Sequence, residues 1–67
     1  MMEIIVNGKQ QQVEDGTTLT GLINQLSLDP TRVAVEHNLN VVMRESFDET
    51  ILAEGDNLEI VQFVGGG

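Results

Sequence analysis

Very few side chains in this sequence could carry covalent chemistry. Cysteine is absent, which removes thiol nucleophiles, disulfides, iron–sulfur clusters and thiolate zinc sites together. His37 is the single histidine, so no second imidazole can complete a metal site, and it reads as a satisfied or exposed structural residue. Ser27 and Ser46 have no base to activate them, because nothing in the sequence orients the one imidazole. The eleven acidic residues are scattered, without the alternating Asp/Asn ladder of a calcium loop, and read as a solvated surface. No glycine-rich loop of phosphate-binding form precedes a helix. No catalytic side chain, no metal and no bound cofactor is therefore expected.

The exception is backbone. Gly65, Gly66 and Gly67 close the sequence. Glycine has no Cβ and loses the most entropy on ordering, so such an end adds nothing to a fold. One use for it is steric: extended glycine is the thinnest thread that can enter another protein's narrow active site. The bland alternatives are a frayed end or an expression scar.

A thread needs a domain to deliver it, and 67 residues allow only one. Three basic and eleven acidic residues give a net charge of −8. That argues against nucleic acid and against an anionic membrane surface as partners. There is no spanning apolar run and no secretory signal, so a cytoplasmic location is expected. A domain near this size buries only about 60% of its unfolded surface, leaving few core positions for a buried active site. A carrier, adaptor or inhibitor fits the size better than an unaided enzyme.

The elements follow from local pattern. Ile4-Ile5-Val6 is a β-branched strand run, and Asn7-Gly8 is a hairpin turn signal. Lys9–Val13 is the return strand, and its glutamines suit a sheet edge. Thr17 or Thr18 caps a helix in which Leu19, Leu22, Ile23 and Leu26 recur at i, i+3, i+4 and i+7. Gly21 inside it reads as a close approach to the sheet or to solvent. Ser27, Asp29 and Pro30 end the helix, since Pro30 restricts Asp29. Arg32–His37 and Val41–Met43 read as strands around the turn Asn38–Asn40. Ser46–Ala53 has no clean period and reads as an irregular or one-turn helical segment, pinned to the core by Phe47, Ile51 and Leu52. After the turn Glu54-Gly55-Asp56, Asn57–Val64 is the last strand.

This order describes an α+β domain of the β-grasp, ubiquitin-like kind over residues 1–64. It has a mixed sheet of about five strands with one main helix across it. Residues 65–67 would be a flexible glycine tail. Leu19, Leu22, Ile23 and Leu26 should pack on Ile4, Val6, Val33, Val35, Leu58 and Ile60. Alternation then turns Glu59, Val61 and Phe63 outward, with Ile5 joining them on the face the helix leaves bare. Such apolar side chains suit a docking face made of Ile5, Val61 and Phe63; ordinary half-buried strand residues are the alternative. Glu54, Asp56 and Glu59 around it would meet a basic partner surface.

Across essentially its whole length the sequence resembles the ubiquitin-like sulfur carrier proteins of bacterial thiamin biosynthesis. The resemblance rests on Asn7-Gly8, on Asp15-Gly16-Thr17 before Leu19, Leu22 and Leu26, and on Val33-Ala34-Val35-Glu36-His37-Asn38. It continues through Val41-Val42-Met43-Arg44, Leu52-Ala53-Glu54-Gly55-Asp56 and Leu58-Glu59-Ile60-Val61. Phe63-Val64-Gly65-Gly66-Gly67 is its most specific block. Members often carry proline where Met43 stands and tryptophan near Phe47, so local turn geometry differs there. The resemblance implies that Gly67 is adenylated at its α-carboxyl and converted to a thiocarboxylate, with Gly65 and Gly66 threading it into partners. Those partners would be an adenylyltransferase of the ubiquitin-activating kind that consumes ATP, a persulfide sulfur donor, and thiazole synthase. The small subunit of molybdopterin synthase shares fold, glycine end and chemistry but usually runs longer. A small acidic binding module with an incidental glycine end is the reading from another class.

Overall fold

The stiff Ile4-Ile5-Val6 run lies in β1 (Met2–Val6), and the chain reverses through Asn7 and Gly8 with φ of 52° and 83° into β2 (Lys9–Val13). Positive φ at both turn residues is the geometry that matches the twist of a tight hairpin, and Val6 pairs with Lys9 across it. The computed structural model describes residues 1–64. The glycine tail expected at 65–67 lies outside the described residues.

The helix, α1 (Leu19–Gln25), starts where the sequence places it. Thr18 Oγ1 accepts the Gly21 N–H at 3.1 Å, and Leu19, Leu22 and Ile23 are fully buried. Gly21 approaches its own cap and not the sheet: a Cβ there would stand 3.3 Å from Thr17 Cγ2 and 3.6 Å from Thr18 Oγ1. The helix stops earlier than proline requires. Ser27 takes a left-handed φ of 61°, and the N–H groups of Ser27 and Leu28 bond back to Asn24 O and Ile23 O, each at 3.0 Å. That closes the last turn with a Schellman pairing. Asp29 and Pro30 instead open a separate 3₁₀ turn (Pro30–Arg32), with Asp29 Oδ1 accepting the Thr31 N–H at 2.9 Å.

Beyond it, β3 (Val33–His37) and β4 (Asn40–Val42) form a second hairpin through Asn38 and Leu39, both at positive φ. Met43 falls outside the strand because it leads into a 3₁₀ turn over Arg44–Ser46. In the following segment Phe47 and Leu52 are buried, but Ile51, expected to pin the core, is 64% exposed. Leu19 N–H bonds to Thr50 O and Leu52 N–H to Thr17 O, so residues 50–52 run extended beside the helix start. Neighbours in an extended segment face opposite ways, and burying Leu52 turns Ile51 out.

The final strand, β5 (Asn57–Gln62), lies at the centre of a five-stranded sheet ordered β2-β1-β5-β3-β4. It runs parallel to β1 and antiparallel to β3, so the sheet is mixed. Ile4, Val6, Val33, Val35, Leu58 and Ile60 meet the helix as expected, joined by Val13, Phe47 and Leu52, with Leu26 half-buried beside them.

Candidate functional site

The strand that leads toward the glycines is held on both sides. Asn7 N–H bonds to Leu58 O at 2.8 Å. Its side-chain amide then takes over where β1 ends: Nδ2 donates to Ile60 O at 3.0 Å, and Oδ1 accepts the Ile60 N–H at 2.8 Å. One amide imitates a peptide group and extends the parallel pairing by a step. On the other side β3 pairs with β5 from His37↔Leu58 to Val33↔Gln62. The strand ends at Gln62, two residues short of the expected Val64, yet Phe63 N–H still reaches Arg32 O at 2.7 Å.

Of the proposed docking residues, Val61 and Phe63 are each 59% exposed and Ile5 is 38% exposed. Val61 lies opposite Ala34 and shares a shallow depression with Val41, Glu36 and Glu59. Phe63 borders an adjoining groove with Val41, Met43 and Arg44. Ile5 stands apart. It is in register with Asn57, four residues before Val61, which is about 13 Å along a strand. Glu59 occupies the same face between them. Gly65, Gly66 and Gly67 lie outside the described residues.

His37 does have an orienting partner, contrary to the sequence reading. Its Nε2 lies 2.8 Å from Asp56 Oδ2. Asp56 is 8% exposed and also accepts the Ala53 N–H at 2.8 Å and the Asn38 amide at 3.1 Å, so it is no surface carboxylate for a partner. Asn38 Oδ1 in turn accepts the Asn57 N–H at 2.9 Å. Burial on its own would raise the Asp56 carboxyl. The bonds from His37, Ala53 and Asn38 outweigh it and leave the carboxyl below its ordinary value. The cluster ties the 53–57 turn to the end of β3, immediately before β5 begins. Neither serine is among its hydrogen-bond partners in the described residues, so it orders a loop and activates no nucleophile. Glu54, by contrast, is exposed and accepts the Glu3 N–H at 3.0 Å.

Among the described residues no cluster of His, Asp and Glu could hold a metal, and no helix is long and apolar enough to cross a membrane. What the arrangement offers is mechanical. A central strand paired on both sides leads the chain toward Phe63 and Val64.

The model of the ThiS family matches residues 3–67. Over 66 residues the chain is 46% identical to a thiazole synthase of Magnetococcus marinus, covering 98% of this chain and 20% of that one. The chain thus spans about a fifth of that relative's length. It is 36% identical over 63 residues to the sulfur carrier protein ThiS of Bacillus subtilis, covering 92% of this chain and 96% of the relative. A crystal structure of the thiamine biosynthesis protein ThiS from Geobacter metallireducens superposes with a TM-score of 0.83 at 38% identity. It covers 98% of this chain and all of that one.

Proposed function

The chain belongs to the ThiS family, and on that premise we propose that it is a sulfur carrier of thiamin biosynthesis, loaded at the α-carboxyl of Gly67. The observation that carries this reading is the reach of the family match, from residue 3 through the glycines to residue 67. The β-grasp fold, the exposed Val61–Phe63 face and the absence of cysteine support it.

The chemistry follows from the carboxyl. With a pKa near ~3.5 it is an anion at neutral pH and a poor electrophile. An adenylyltransferase must join it to AMP from ATP, releasing pyrophosphate and leaving a mixed anhydride with a good leaving group. A persulfide on a donor protein then attacks the carbonyl and expels AMP. Cleavage of the resulting sulfur–sulfur bond by a further thiol leaves the thiocarboxylate on Gly67 and a disulfide behind. This chain supplies no catalytic group to those steps; it is a co-substrate that Gly65 and Gly66 thread into each partner. The stretch 46% identical to this chain within a thiazole synthase supports that enzyme as the recipient, and with it the thiazole branch over the molybdopterin branch. Val61 and Phe63 would form the main docking contact with the activating adenylyltransferase, and with thiazole synthase in turn, while Ile5 would be a separate contact across Glu59.

Appending one alanine after Gly67 tests the reading. The extended protein should fold with an unchanged Tm and fail to deliver sulfur to thiazole synthase. Undiminished delivery would show that a free Gly67 carboxyl is not the loading point, and no delivery by either form, where a known carrier delivers, would favour a small acidic binding module.

A further inference from the structure

A groove of about 360 Å³ runs between the β3–β4 hairpin and the Arg44–Ser46 turn. Val41, Met43 and Phe63 line it and are 71%, 62% and 59% exposed. Arg44 stands at its rim, its Nη1 making only a long 3.5 Å contact with Thr31 O. The chain has eleven acidic residues, yet among the described residues none comes within 4.0 Å of the Arg44 guanidinium. Arg32, whose carbonyl holds Phe63, shares only an exposed 3.7 Å ion pair with Asp29. Arg44 thus lines the groove beside Phe63, and Arg32 meets Phe63 through its backbone carbonyl. Glu36 and Glu59 face each other across β3 and β5 beyond Val41 and Val61, so the same face is negative at its other end.

An uncompensated guanidinium beside exposed apolar side chains is a half-built contact. A carboxylate placed on it would gain a charge-assisted, bidentate pair, strengthened as the apolar contact excludes water. Glu45 also lines the groove without pairing with Arg44, and with Glu36 and Glu59 it would repel the same carboxylate everywhere but at the guanidinium, confining it there. We propose that this groove docks a protein segment that inserts an apolar side chain among Val41, Met43 and Phe63 and pairs a carboxylate with Arg44. The inference rests on the reading that the Val61–Phe63 face meets the activating adenylyltransferase, and it assigns the chemistry that enzyme presents there.

Calorimetric titration of the purified adenylyltransferase of the same organism, without nucleotide, separates the two. Arg44→Glu should raise Kd at least about tenfold with Tm unchanged, and Arg44→Lys should raise it less. Wild-type affinity of Arg44→Glu alongside weakened Phe63→Asp would overturn the groove assignment and leave the docking face standing. Wild-type affinity of both would remove the docking face as well. An unchanged Kd with a raised KM for ATP would place the guanidinium on phosphate, and a loss of self-association in sedimentation would give the groove to a second copy; either result overturns the proposal.

Discussion

Asn7 does two jobs with one side chain. Its backbone takes the positive φ of the hairpin turn, and its amide satisfies both backbone groups of Ile60. Asn7→Ala should cost about 2–4 kcal/mol in urea unfolding. About 1–3 of this comes from the partly buried Ile60 groups left unpaired. The rest is the left-handed conformation of a residue with a Cβ. Asn7→Gly keeps the turn and isolates the first cost; a loss under about 0.5 kcal/mol there would show that the clamp does not matter. Asp56 carries a pH dependence. Its folded carboxyl sits below the ordinary 3.8, so its stabilisation is complete above that value and is lost as pH falls through the lower folded one. Urea midpoints between about pH 6 and pH 2 should fall less steeply for Asp56→Asn than for the wild type. Parallel curves would contradict the network. Neither role was legible in the sequence. Asn7 looks like a turn residue and Asp56 like a solvated carboxylate, because their partners lie 53 and 19 residues away.

Elements were legible wherever a local rule decides them. The Asn7-Gly8 turn, the Thr18 cap and the alternation of Val33 and Val35 all follow from neighbours within four residues. Ser27 is among the residues the sequence places at the end of α1, but the reason lies in Ser27 itself and not in Pro30, since Ser27 closes the helix in a conformation that serine rarely adopts. Ser27→Gly should therefore stabilise the domain by about 0.5–1 kcal/mol, visible as a raised Tm with an unchanged urea slope. A lower Tm would mean that the serine hydroxyl holds the cap instead. Ile51 was misassigned for a different reason. With no period in the sequence, only the bridge between Thr18 and Ile51 tells which of Ile51 and Leu52 faces the core. The two outward residues on and just beyond β5, Val61 and Phe63, were legible from alternation alone. Their separation from Ile5 was not, since it depends on the parallel register that sets Ile5 beside Asn57.

At the scale of the whole molecule, the fold and the chemistry divide cleanly. Among the described residues, every buried apolar residue lies between Ile4 and Ile60. A core this small holds the domain together, and the proposed function places the reactivity at Gly67 instead. Most of the acidic charge is spread over the surface, while Arg44 lines the groove beside Phe63. The account stands or falls on Gly67. Intact-protein mass spectrometry after incubation with ATP, the adenylyltransferase and a persulfide donor tests it directly, with fragmentation to locate the change. One oxygen should be replaced by one sulfur, confined to Gly67, and Gly67→Ala should convert far more slowly while keeping the wild-type Tm. An unchanged mass, under conditions that convert a known carrier, would contradict the account.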